Sequence, residues 1–400
     1  MIFMQELKDQ IKKLAAEYFS EIVNLRRDIH ANPELGFKEY KTSDLIFNKL
    51  REYNIDVKQG IAKTGVVAMI KGKNPDKKVV ALRADMDALP ITETNDVDYK
   101  SKIEGVMHAC GHDVHMASLL GSAKILNSLK DEFEGSIKLI FQPSEEKYPG
   151  GASVMIKEGV LENPKPDTIY GQHVYPELEA GKIGIKSGKF MASTDEIFLT
   201  VKGKGGHGGT PHKNIDPVLI ASHIIVGLQQ LVSRNAPPYI PTVLSFGRII
   251  GEGKTNIIPD EVKIEGTIRT FDENWRAEAH QKIEKMANSI AESFGGSCEA
   301  LIDNGYPYVY NDELVTIRTK NYAREYLGEQ NVVEIDVRMT AEDFAYYGQI
   351  IPACFYRLGI RNESAGIVSN LHTSGFNVDE SSLETGMGLL AWIALNELAI

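Results

Sequence analysis

Cysteine is scarce in this chain. There are three in 400 residues, Cys110, Cys298 and Cys354, odd in number and far apart. That excludes a disulfide framework and predicts a reducing compartment. Long apolar runs are missing too. The most apolar helical stretch, Val218 to Leu231, is broken by Ser222, His223, Gln229 and Gln230, so it is no membrane span. The first ten residues, Met-Ile-Phe-Met-Gln-Glu-Leu-Lys-Asp-Gln, lack the continuous apolar core of a signal peptide. Positive charge is in deficit: 44 Lys and Arg against 55 Asp and Glu give a net charge of −11. That argues against nucleic acid or an anionic membrane surface as partner. Repeats and low-complexity segments do not stand out. A cytoplasmic protein is the expectation.

What is present is ordinary globular material, 42% hydrophobic and 25% charged, in a chain long enough for two domains. Strand-like runs at Gly65–Ile70, Lys78–Leu82, Ser136–Phe141 and Thr168–Gln172 alternate with helical patterns at Leu7–Arg27, Thr42–Tyr53 and Asp113–Leu129. This predicts an α/β catalytic domain, with a mostly parallel sheet and flanking helices. After Gly188 the pattern changes to β-α-β-β-α-β, the ferredoxin-like plan. Its pieces are Glu196–Lys202, Pro217–Val232, Pro241–Ile250, Val262–Phe271, Glu273–Phe294 and Ser297–Ile302. The expected division is a catalytic domain of residues 1–187 and 307–400 with an inserted domain of residues 188–306. Open edges on the inserted sheet suggest a homodimer or higher oligomer. Glycines near 188 and 305 suggest hinges that let it act as a lid.

Ligands of open α/β sheets bind beyond the carboxyl ends of the strands. Three such ends here are rich in metal-binding groups. Asp85 and Asp87 follow one strand, Glu145 and Glu146 another, and His173 a third, while His108-Ala-Cys110-Gly-His112-Asp113-Val-His115 lies between the first two. Cys110 and His112 would diverge on a helix, so a turn or strand must present them, and Gly111 allows a tight bend. A lone Cys-Gly-His is usually a buried free cysteine. The further imidazoles and carboxylates nearby reverse that reading. Thiolate, imidazole and carboxylate together suit zinc, manganese, cobalt or nickel. Of two adjacent glutamates in extended backbone, one can bind metal while its neighbour holds the attacking water. Asp87 or Asp113 could accept the free N–H of a ligating imidazole. His372, far off in sequence, is a candidate chiefly because the local stretch lacks a further ligand. Gly203-Lys-Gly-Gly-His207-Gly208 matches a dinucleotide fingerprint, but Pro211 delays the helix and no acid stands about twenty residues on, so a nucleotide is not expected. His207 reads instead as an exposed histidine on a flexible loop.

With these motifs in place the chain resembles, nearly end to end, the metal-dependent amidohydrolases. That family comprises aminoacylases, hippurate hydrolase, plant auxin-conjugate hydrolases and related carboxypeptidases. The likeness rests on Leu25-Arg-Arg-Asp-Ile-His-Ala-Asn-Pro-Glu34, Arg83-Ala-Asp-Met-Asp-Ala-Leu-Pro90, His108-Ala-Cys-Gly-His-Asp113, Gln142-Pro-Ser-Glu-Glu146, Gly205-Gly-His-Gly208, Met339-Thr-Ala-Glu-Asp-Phe344 and the His372 segment. It implies two divalent metals held by Cys110, His112, Glu146, His173 and His372, with Glu145 as general base. It also implies substrate contacts from His207, as oxyanion donor, and from Asn256. The expected reaction is hydrolysis of N-acyl amino acids. A carboxypeptidase or dipeptidase is the alternative, with a non-catalytic metal protein or thiol chemistry at Cys110 ranked lower. His30 and Glu34 read as structural. Thr340 and Asp343 have capping-box spacing for a helix.

Overall fold

The computed structural model describes residues 2–400. The chain divides into two compact units, residues 1–188, 310–336 and 343–400 in the first, and residues 189–309 and 337–342 in the second.

The first unit is built on an eight-stranded mixed sheet. Its order across the sheet is Asp56–Ile61, Gly65–Lys71, Ser136–Gln142, Val79–Asp85, Thr168–Glu179, Ala353–Arg361, Ile183–Ile185 and Val332–Glu334. The four central strands, from Ser136–Gln142 to Ala353–Arg361, are mutually parallel. Gly65–Lys71 joins them antiparallel, and Asp56–Ile61 folds back on it through a hairpin. Val79–Asp85 and Ser136–Gln142 are buried at every position. That is the pattern of a sheet covered on both faces, and explains their largely apolar character. Helices Ile2–Ala31, His112–Ser128 and Ser382–Leu398 pack on one another and carry much of the core. The latter two are apolar around most of their circumference because they are almost wholly buried. Register sets Asp85 beside Gln142 and Arg357 beside His173, so the parallel strands end along one edge.

The second unit holds a four-stranded antiparallel sheet in the order Thr242–Ile250, Glu261–Thr270, Asp195–Lys202, Ser297–Asn304. With helices Pro217–Gln230 and Glu273–Ser293 it has the ferredoxin-like β-α-β-β-α-β order. Asp195–Lys202 alternates buried and exposed positions, as a sheet covered on one face should. Its own apolar cluster includes Ile197, Leu199, Ile224, Ile264 and Ile283. Val337–Glu342 runs with this unit because Arg338 exchanges backbone hydrogen bonds with Phe190 and Ala192.

Two expectations need amendment. Asp56–Ile61, Ile183–Ile185 and Val332–Glu334 were not predicted as strands. Asp56–Ile61 reads Asp-Val-Lys-Gln-Gly-Ile and is mostly exposed, so its edge position hides the usual apolar signal. The Thr340/Asp343 capping box does not form. The helix that follows is one short turn, Ala345–Gly348, with Phe344 at its N-cap and no side-chain cap.

Candidate metal centre

Cys110 is delivered by the turn that starts helix His112–Ser128. Gly111 at its N-cap has φ +79°. A Cβ there would meet Val174 Cγ2 at 2.4 Å, so only glycine fits beside the strand carrying His173. This is the turn that the Cys-Gly-His spacing demanded. His173 stands on Thr168–Glu179 and gives its Nδ1–H to the Val174 carbonyl, 2.8 Å, which leaves Nε2 free to bind. Glu145 and Glu146 follow Ser136–Gln142. His372 has φ +60° and is seated beside Cys110 by its backbone N–H on the Ala109 carbonyl, 2.8 Å.

These side chains converge. Ligand atoms of Cys110, His112 and His173 lie within 4.8 Å of one another, as do those of Cys110, Glu146 and His372, and those of His112, Glu145 and Glu146. Cys110 Sγ is 3.4 Å from His173 Nε2 and 3.3 Å from His372 Nε2. His112 Nδ1 and Nε2 and Glu146 Oε1 are buried without hydrogen-bond partners. Yet Asp87 Oδ1 stands 3.3 Å from His112 Nδ1, and His372 Nε2 stands 3.1 Å from Glu146 Oε1. Distances are short but the angles do not make hydrogen bonds. Such donors are aimed past one another, and a thiol, imidazoles and a carboxylate so arranged fit a divalent transition metal. Burial and the neighbouring Glu146 and Glu145 push the Cys110 thiol well up. Burial opposes charge on His112, but Asp85 and Asp87 prevail and raise it to about 10. Burial and Arg357 hold His173 well below the ordinary imidazole range.

A shell of buried charge surrounds the cluster. Asp87 accepts the backbone N–H groups of Glu145 and Glu146, both at 2.9 Å. Asp113 instead faces Arg26 (Nε, 2.7 Å) and His30 (Nδ1, 2.8 Å), so it braces the first helix and is not bonded to a ligating imidazole. His30 also reaches Glu93. Glu34 accepts from the Thr42 N–H and hydroxyl, the structural part read for it.

Sequence reasoning gave no role to Arg83 or His115, read Asp343 only as part of a capping box, and placed Asp85 no further than a strand end. Arg83 donates to Asp85 at 2.8 Å, Gln142 at 2.9 Å and Asp343 at 2.8 Å. Asp343 also accepts from Gln142 and from the Ala152 N–H. His115 gives Nδ1–H to Asp85, 2.5 Å, and its Nε2 accepts the Val174 N–H, 2.9 Å, tying down the strand of His173. Charged residues inside a wholly buried strand were the available signal for Arg83 and Asp85. The i, i+3 spacing from His112 was the signal for His115.

His207 and Asn256 lie together in the second unit, both exposed. Their strands pair at His207–Ile257, and the Gly208 N–H bonds the Asn256 carbonyl at 2.9 Å. His207 Nδ1 accepts the Gly209 N–H, 2.9 Å, so its neutral form carries the proton on Nε2.

No helix among the described residues is long and apolar enough to cross a membrane. The chain is 40% identical to the thermostable carboxypeptidase 2 of Saccharolobus solfataricus over 99% of either chain. It is 43% identical to the N-acyl-L-amino acid amidohydrolase of Geobacillus stearothermophilus, over 76% of this chain and 81% of that one. Among solved structures it resembles the Bacillus subtilis YXEP protein, described as a dinuclear metal binding peptidase, with TM-score 0.81 and 34% identity over 96% and 99% of the two chains. Residues 81–396 match the model of peptidase family M20/M25/M40. With full-length relatives at this identity and a buried thiol–imidazole–carboxylate cluster at its strand ends, the chain is a metal-dependent hydrolase and belongs to peptidase family M20/M25/M40.

Proposed function

We propose that this protein hydrolyses the amide bond of N-acyl amino acids, with Cys110, His112, Glu146, His173 and His372 holding two divalent transition metals and Glu145 serving as general base. The observation that carries the reading is the shared thiol. Cys110 belongs both to the group with His112 and His173 and to the group with Glu146 and His372, while Glu145 lies beside them. Ions bound there would polarise the amide carbonyl and make water acidic enough to deprotonate near neutral pH. Glu145 takes the proton from the attacking water and returns it to the leaving amine. Asp87, by holding both backbone N–H groups, keeps Glu145 and Glu146 on divergent tasks. Substrate contact is assigned to His207 and Asn256. An exposed imidazole whose Nε2–H is left to donate is suited to an oxyanion, and a carboxamide to a carboxylate.

The N-acyl reading is favoured by the amidohydrolase relative at 43% identity. The full-length carboxypeptidase relative supports short peptides as the second reading. The test is release of free amino acid from N-acetyl and N-benzoyl amino acids and from dipeptides. Chelated protein is compared with protein reloaded with zinc, manganese, cobalt or nickel. Turnover is expected to vanish on chelation and return with metal. Glu145→Gln is expected to keep its metal and lose about 100- to 10,000-fold in kcat. Turnover that survives chelation, or a fully active Glu145→Gln, overturns the assignment.

A further inference from the structure

The segment Glu34-Leu-Gly-Phe-Lys-Glu39 lies far from the metal ligands in sequence, and nothing in the proposed reaction uses it. Its structure ties it to the turn that carries Glu145 and Glu146. The Ala88 N–H, next to Asp87, bonds the Glu34 carbonyl at 2.8 Å, and Leu35 bridges Ala88. Glu39 is fully buried. Its Oε1 accepts the Ser144 N–H at 2.8 Å, and its Oε2 accepts the Thr64 hydroxyl at 2.7 Å. A Cβ on Gly36 would stand 2.6 Å from Ser144 Oγ and 3.3 Å from Ser144 Cα, so the loop lies directly on the turn.

Ser144 itself is in the left-handed region, φ +52°. For a residue with a side chain that is strained, and it persists only when the surroundings enforce it. Here they do. Three successive backbone N–H groups, those of Ser144, Glu145 and Glu146, each end on a buried carboxylate: Glu39 for the first and Asp87 for the other two. Relaxing Ser144 would swing both glutamates together.

We propose that Glu39, pressed with Gly36 against Ser144, is a positioning residue that sets the placement of Glu145 and Glu146 for the hydrolytic step. This rests on the assignment of Glu145 as base and Glu146 as ligand. A buried carboxylate is a poor choice for stability alone: burial, with Asp87 nearby, pushes Glu39 up to about 7. A neutral glutamine could accept the same Ser144 N–H, with the Thr64 hydroxyl turned to accept its amide. Retaining the acid points to what its charge does for the turn.

The experiment measures kcat, KM, bound metal and thermal midpoint of the metal-loaded protein, and the visible d–d bands of its cobalt form. It uses Glu39→Gln, Glu39→Ala and, as control, Glu145→Gln. Glu39→Ala is expected to lose about 100-fold in kcat with KM within about twofold, and to shift the cobalt bands because Glu146 rides on the same turn. Glu39→Gln should keep or raise the thermal midpoint at pH 8 while losing about three- to tenfold in kcat. A role limited to folding would make kcat follow stability, and it would not separate them in this way. Should Glu39→Ala fail to fold, Gly36→Ala takes its place, with the same band shift and a smaller fall in kcat. The proposal is overturned if the folded Glu39 and Gly36 variants keep wild-type kcat and cobalt bands while Glu145→Gln is inactive. An active Glu145→Gln overturns the underlying assignment and this proposal with it.

Discussion

Each unit of the molecule buries an arginine among carboxylates, and the two arrangements hold different things. In the first unit, Arg83 joins Asp85, Gln142 and Asp343, all at the strand ends that carry the metal-binding groups. In the second, Arg276 Nε reaches Asp195 Oδ2 at 2.9 Å, and Nη1 reaches Glu273 at 2.8 Å. Asp195 also takes His280 and the Gly305 N–H. That knot fastens the first residue of strand Asp195–Lys202 to the residue just beyond Ser297–Asn304. The interaction is the same, but one serves groups that can do chemistry and the other closes the ends of a sheet. Buried charge alone therefore does not mark a functional site. What marks it is the identity of the backbone and side chains that the charge holds.

The sharpest way to break this contrast is to remove each arginine. Arg83→Met takes one partner from two fully buried carboxylates, leaving Asp85 with His115 and Asp343 with Gln142 and the Ala152 N–H, and should cost about 3–5 kcal/mol in urea unfolding. Turnover per folded, metal-loaded molecule should also fall, because Asp85, which holds His115 against the His173 strand, loses its Arg83 brace. Arg276→Met leaves Asp195 with His280 and the Gly305 N–H, so about 2–3 kcal/mol is expected, with kcat per folded molecule within about threefold. Equal losses of kcat in both variants would erase the distinction.

A smaller effect comes from pH. Burial opposes charge on Asp113 and Asp195, but Arg26 with His30, and Arg276 with His280, hold both acids below the usual carboxylate value of 3.8. A lowered folded pKa gives stability that is present above about pH 4 and is lost as pH falls through the folded value. His30 has the opposite sign. Burial and Arg26 oppose its charge, yet Asp113 and Glu93 raise it above 6.5, so its contribution is present below that pH and fades as pH rises through the raised value. Thermal midpoints should therefore fall in acid, and Asp113→Asn and Asp195→Asn should each flatten part of that limb, which other acids held low, such as Glu93 and Asp379, share. His30→Gln should flatten the alkaline limb and also part of the acid one, because His30 helps hold Asp113 low.

How much of this was legible in the sequence follows from the same division. The central strands were readable because burial on both faces forces largely apolar runs such as Val79–Leu82 and, broken only by Lys138, Ile137–Phe141. The cluster around Cys110 was readable because thiol, imidazoles and carboxylates follow successive strand ends. Arg83, Asp343 and Glu39 were not, because the contacts that define their roles include partners 59 to 260 residues away in sequence, at Gln142, Arg83 and Ser144. Spacing rules see only neighbours, and a buried ion pair closed by topology leaves no local period. His207 and Asn256 had the reverse difficulty. Nothing buried marks them: the glycine-rich motif singled out His207 only as an exposed loop histidine, and the resemblance alone drew attention to Asn256.

The smallest expected effect tests whether local rules differ between the units at all. Asp312 caps helix Glu313–Leu327 in the first unit by accepting the Val315 N–H at 2.9 Å. Asp272 caps Glu273–Ser293 in the second by accepting the Trp275 N–H at the same distance. Each satisfies one of the donors that a helix leaves open and places a negative charge at its positive end. Asp312→Ala and Asp272→Ala should each cost about 1 kcal/mol, with kcat unchanged. Equal losses in chemical unfolding would mean that both units obey one set of local rules and differ only in what their strand ends bury. A much larger loss at Asp272 would mean that its helix, 21 residues packed on a one-sided sheet, depends on its cap more than a helix braced by the larger core.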